Sequence, residues 1–140
     1  MGYRFIDHTA DVAADLTGDT LGELFLSAAR ALTDTMTDLS LVQASVTQPV
    51  TLESGAVEDL LVDWLNELQY RFEVQNMLVA TAAVTVEERN ARWYLDATIH
   101  GEPFEPERHP SRVLVKSATY HGLHVVRDGE TWTARIVFDI

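Results

Sequence analysis

Asp7-His8-Thr9-Ala10-Asp11 places two carboxylates and an imidazole within one short stretch. Carboxylates that converge without basic partners raise one another's pKa, and a hard cation such as Ca²⁺ or Mg²⁺ removes that repulsion. Equally, Asp7 and Asp11 suit turn positions where the side chain bonds its own backbone, with His8 a packed or exposed imidazole. At the far end, Phe138-Asp139-Ile140 offers a side-chain carboxylate and the α-carboxylate one residue apart. These oxygens would complete a site begun at Asp11 if the first and last strands are neighbours, and would otherwise be a solvated strand end. A third group spans Arg108 to Arg127. It holds Arg112, Lys116, His109, His121 and His124 and contains no acid. That segment can meet a phosphate, a nucleotide or an acidic partner patch. It can also be a strand whose cations pair with surplus surface acids.

The composition narrows the chemistry. With 22 acids against 10 Lys plus Arg, the formal charge is -12, which disfavours bulk binding of nucleic acid. Without Cys there is no disulfide, no thiolate zinc site and no cysteine nucleophile, so any metal must use oxygen and imidazole ligands. No Gly-rich phosphate loop followed by Lys, no G-x-S-x-G elbow and no H-E-x-x-H occurs. No stretch approaches a membrane span and the opening residues have no apolar signal region, so a cytoplasmic protein with no membrane partner is expected.

The elements that must position these residues are legible as periodicities. Leu21, Leu24, Phe25, Ala28, Leu32 and Met36 recur at three- and four-residue spacing, predicting a helix over about Thr20 to Thr37. Thr20 followed by Glu23 supplies a capping box. A second helix is predicted over about Ala56 to Glu73, with Val57, Leu60, Leu61, Trp64, Leu65, Leu68 and Phe72 on one side and Ser54 as a nearby cap. Such a stripe makes Trp64 a core residue rather than a ligand platform.

Elsewhere the period is two. Strands are predicted over 42–52, with Pro49 marking an edge, over 78–86 with Leu78, Ala80, Ala82, Val84 and Val86 on one face, and over 93–99. A polar turn at Arg89-Asn90 joins the last two. Asp128-Gly129 signals a second hairpin, leading to a final strand with Trp132, Ala134, Ile136 and Phe138 inward and Asp139 on the wetter face. Tyr3 to Ile6 and Val12 to Thr17 also read as extended. Gly101 to Ser111, with Pro103, Pro106 and Pro110, reads as one long loop. A single α+β domain over 1–140 is expected, its two amphipathic helices packed on mainly antiparallel strands.

Taken in order, these pieces resemble the archease family: Tyr3-Arg-Phe-Ile-Asp-His-Thr-Ala-Asp11, the helix Thr20 to Met36, Glu58-Asp-Leu-Leu-Val-Asp-Trp-Leu-Asn-Glu67, Gly101-Glu-Pro-Phe104, Val115-Lys-Ser-Ala-Thr-Tyr-His-Gly-Leu123 and Trp132 to Ile140. The resemblance implies an accessory factor for an RtcB-type RNA ligase of tRNA splicing, one that promotes guanylylation of the ligase and its repeated turnover without being an enzyme itself. It implies strand-helix-strand-strand modules and a Ca²⁺-type ion held by Asp11, Asp139 and the Ile140 terminus, with Asp7 and His8 lining the neighbourhood. Lys116 and His121 become candidate partner or nucleotide contacts. Ser117-Ala118 departs from the more apolar family pattern.

Two other readings stay open from the residues alone. Asp7, His8, Asp11 and Asp139 could form a hydrolytic metal centre acting on phosphoesters, in which one acid activates water. Alternatively, a pocket between helices and sheet could bind a small molecule.

Overall fold

The computed structural model describes residues 2–6 and 11–140. Strands β1 (Gly2–Ile6) and β2 (Asp11–Gly18) lead into helix α1 (Leu21–Met36). Strand β3 (Val46–Ser54), helix α2 (Val57–Gln75) and strands β4 (Met77–Arg89) and β5 (Arg92–Pro103) come next, and β6 (Ser117–Asp128) and β7 (Thr131–Asp139) close the order. The strands form two antiparallel sheets. A terminal sheet has the order β1-β2-β7-β6 and a middle sheet the order β3-β5-β4. The α+β expectation holds.

The topology explains the module pattern. β3-α2-β4-β5 is one strand-helix-strand-strand unit with its last strand in the middle of the sheet. β2-α1-β6-β7 repeats that order around β7, with the first unit inserted between α1 and β6. Local periodicity does not reveal the insertion, because pairing β2 with β7 is a long-range choice.

Both helices bridge the sheets. α1 packs on β2, β1 and β7 of one sheet and β4 of the other, and α2 on β6 and on β3, β4 and β5. α1 therefore buries 12 of its 16 residues, including Ser27, Thr33 and Thr35, rather than a single stripe. Their hydroxyls are satisfied by backbone carbonyls. Thr33 Oγ1 donates to Val79 O at 2.6 Å and Thr35 Oγ1 to Ala31 O at 2.8 Å. Gly22 lets the helix approach β4, since a Cβ there would run into the Val84 carbonyl oxygen. The Thr20–Glu23 capping box is present. α2 starts instead at Ala56, which makes no side-chain cap, so Ser54 is not its cap; it is the buried last residue of β3. Trp64 is fully buried and donates from Nε1 to Phe25 O at 2.9 Å, which ties α2 to α1.

Several strand boundaries differ from expectation. Residues 42–45 are not strand, a short 3-10 turn covers Leu39–Leu41, and β3 begins at Val46 with Pro49 on an edge strand as expected. In β4 a bulge falls between Val79 and Thr81. Cross-strand partners share a face, so Val79, opposite Gly101, joins Ala82, Val84 and Val86 inward, while Leu78 opposes Glu102 on the other face. The predicted single face from Leu78 to Val86 therefore breaks at Ala80. The β4–β5 turn is Asn90-Ala91, both at positive φ, one residue beyond Arg89-Asn90. In the β6–β7 hairpin Asp128 pairs with Thr131, so Gly129-Glu130 is the loop and Gly129 carries the positive φ.

The predicted loop from Gly101 is shorter, because β5 runs to Pro103. The chain beyond Pro103 is pinned by a buried carboxylate. Glu102, 3% exposed, accepts from both terminal nitrogens of Arg108, from Gln43 N at 2.8 Å and from His109 Nε2 at 2.9 Å. His109 Nδ1 accepts from Glu105 N at 2.8 Å, which places the imidazole proton on Nε2, facing Glu102. Among the described residues no helix is long and apolar enough to cross a membrane.

Candidate functional site

The terminal sheet decides where the acids meet. In the β2–β7 register Asp11 lies directly opposite Asp139, and on the far side of β7 Asp139 lies opposite Ser117. The three side chains share one row on one face, with neighbouring Cα atoms roughly 4.5–5.5 Å apart. That face points away from the helices: the inward row holds the core residues Val12, Phe138 and Ala118, whereas Asp11 and Asp139 are half-buried. Like charges directly opposite on a sheet are destabilising, and an oxygen-seeking cation between them reverses the sign of that interaction.

Among the described residues, no group of three or more His, Cys, Asp or Glu converges to hold a metal. The carboxylate pair and the Ser117 hydroxyl suit a hard cation, whose further ligands would come from elsewhere. Ile140, half-exposed, follows β7 directly. Asp7 and His8 lie outside the described residues.

Lys116 and His121 are placed differently. Lys116 N donates to Asp139 O at 2.8 Å, yet its side chain is exposed and lines a cavity of about 400 Å³ with Gln69, Phe72, Glu73 and Asn76 of α2 and its C-cap. His121 is exposed in an irregular stretch of β6 between Thr119 and His124, where Gly122 takes positive φ. The backbone thus brings Lys116 to the carboxylate row, while its side chain opens toward α2.

The basic segment does not form one positive patch. Arg108 is taken up by Glu102 and Glu105, and Arg112 by Asp34 through its carbonyl at 2.9 Å and carboxylate at 3.2 Å. Arg127 lies over the Trp132 ring at 5.9 Å. His109 is buried. Pairing with surplus acids accounts for Arg108 and Arg112, two of the segment's four cations.

A different row was missed in the sequence. Four residues from the carboxylate pair along both strands, Arg4, Asp15, Arg135 and His124 are consecutive register partners across all four strands of the terminal sheet. Arg135 donates to Asp15 from Nε at 2.8 Å and Nη2 at 3.2 Å, and Arg4 Nη2 donates at 3.2 Å. The Arg135 guanidinium, with help from Arg4, holds the Asp15 carboxyl below its ordinary value despite partial burial. Asp11 with Asp15, and Arg135 with Asp139, share an even spacing that was the available signal, but it required knowing that β2 pairs with β7.

An α+β protein of two interleaved strand-helix-strand-strand units, with facing carboxylates on the terminal sheet where its second and last strands pair, is the class these observations define. Residues 3–140 match the Archease protein family (MTH1598/TM1083). A protein archease of Methanopyrus kandleri is 36% identical over 140 residues, covering all of both chains. The solution structure of protein 1598 of Methanobacterium thermoautotrophicum superposes with a TM-score of 0.84 at 32% identity, covering 99% of each chain. A crystal structure from Thermotoga maritima, described as an archease and possible chaperone, shares the fold with a TM-score of 0.64 at 20% identity, covering 96% of this chain and 94% of that one. The chain belongs to the archease family.

Proposed function

We propose that this archease is an accessory factor of an RtcB-type RNA ligase in tRNA splicing, promoting guanylylation and repeated turnover of the ligase. The observation that carries the reading is the cross-strand pairing of Asp11 with Asp139, which sets two half-buried carboxylates on one row. A divalent cation such as Ca²⁺ would be held there by Asp11, Asp139 and the Ile140 carboxylate, with Asp7 and His8 nearby. Bound, it would supply concentrated positive charge on an acidic body, of the kind that organises phosphates. The protein's own part is to hold two oxygen ligands on paired strands, a more rigid support than a loop. Lys116 and His121 are assigned to partner or nucleotide contact. Family membership supports this reading over the hydrolase and small-molecule alternatives.

The deciding experiment is RNA end-joining by a matching RtcB-type ligase at limiting ligase, with and without this chain, alongside guanylylation of the ligase. Multiple turnover only when the chain is added supports the reading. Joining or phosphoester hydrolysis by the chain alone would move it into the enzyme class.

A further inference from the structure

We infer that the outer face of the terminal sheet is the surface on which the protein partner docks, with the Arg4–Asp15–Arg135–His124 row gripping a carboxylate-bearing segment of that partner. The inference rests on the reading of the chain as an accessory protein, and adds to it where and by what chemistry the partner is held.

The row borders a trough of about 580 Å³ that runs across the strands. One wall is this row, the other is low, formed by Gly2, Thr17 and Thr133. Small residues there leave the guanidinium groups approachable from solvent. Each guanidinium carries five N–H donors in a fixed fork. Arg135 gives two to Asp15 and Arg4 gives one, so most donors remain available while Asp15 holds both groups in place. Arg4 is 77% exposed and Arg135 42%. Two guanidinium groups against one carboxylate make this row locally positive on a chain of net charge -12. Such a fork matches a carboxylate in bidentate geometry.

Nucleic acid fits the trough less well. The nearby Tyr3 ring gives its hydroxyl to Asp34 at 2.8 Å and packs against the core, so it offers no free stacking face. Along the strands the next outer row is Ile6, Ala13, Val137 and Thr119, and beyond it stand Asp11 and Asp139. A phosphate backbone leaving the trough in that direction would run onto carboxylates, whereas a protein segment can change composition along its length. The basic and acidic rows lie four residues apart on the same strands, roughly 13 Å. The buried Ala13 and Val137 separate the two rows, so a protein seated on this face is gripped at the basic row itself.

The test is binding of the RtcB-type ligase to the immobilised full chain, with melting temperature recorded for each variant. Arg4→Glu reverses a charge on an exposed side chain, and is expected to weaken binding about tenfold, chiefly through slower association and an altered salt dependence. Arg4→Glu with Arg135→Glu should weaken it further. Lost affinity at unchanged melting temperature supports the docking face. Wild-type binding and ligase activation together with unchanged affinity of both folded variants would overturn this face and leave the accessory reading intact. Failure of the wild type to bind or activate the ligase would overturn both. Displacement of the ligase by an unstructured RNA oligonucleotide, dependent on Arg4 and Arg135, would make the trough a phosphate site and overturn the carboxylate assignment.

Discussion

Asp11 and Asp139 owe their proximity to register alone, so their chemistry can be tested one carboxylate at a time. Calcium at about 100 times its dissociation constant is expected to stabilise the wild type by about 2.7 kcal/mol, and Asp11→Asn should lose that gain. Equal melting temperatures of wild type in calcium and in chelator would remove the site. Glu102 is a residue whose surroundings fix its ionisation. Arg108 chiefly, then the Gln43 backbone and His109, hold its carboxyl down from an ordinary 4.5 to about 2 against the opposing effect of burial. A depressed carboxyl contributes stability above its unfolded value, and that contribution is lost as pH falls through the folded one. Glu102→Gln is expected to cost about 2 kcal/mol at pH 7, read from urea midpoints. The gap to wild type should narrow as pH drops from 4.5 toward 2. A gap unchanged at pH 3 would mean that the ionised form of Glu102 contributes nothing.

Elements carry their own strain and their own legibility. The β4–β5 turn places Asn90 at φ 52° and Ala91 at φ 62°. Asn tolerates the left-handed region, but alanine does not, since its Cβ crowds the backbone there. Ala91→Gly should therefore stabilise the hairpin by about 0.5–1 kcal/mol after the entropy of the freer glycine is subtracted, measurable by thermal melting. No gain would mean that the turn relaxes in solution. Both helices were readable within two residues, because a 3.6-residue period extends over several turns and Thr20 and Glu23 mark one start. The phase of β4 was not readable. Ala80 looks like any strand residue, and only the bulge opposite Gly101 reveals that Leu78 faces the other way. Glu102 lay in what read as a loop, where its neighbours Pro103 and Pro106 concealed that β5 continues to Pro103. Spacing raised Asp11 and Asp139 as candidates and the resemblance joined them as one site, since nothing local ties residue 11 to residue 139.

At the scale of the whole molecule, charge sets what the protein can hold unaided. A body at -12, with most of its arginines already paired to carboxylates, can neutralise few phosphates. Affinity built on few phosphate contacts falls with added salt. The protein alone is expected neither to bind tRNA halves tightly at physiological salt nor to join them with GTP and Mn²⁺. Submicromolar, salt-resistant filter binding would contradict the electrostatic argument, and joined product would contradict the accessory role.

The insertion of one unit within the other also governs the order of events at the ribosome. β3-α2-β4-β5 can assemble its sheet from contiguous chain, whereas β1 and β2 must wait for β7 to emerge before their sheet has a centre. Nascent chains halted before β6 should present β1 and β2 to protease, and chains that expose β7 should not. The facing carboxylates thus come together only once β7 has paired with β2, after the inserted unit has had its chance to fold.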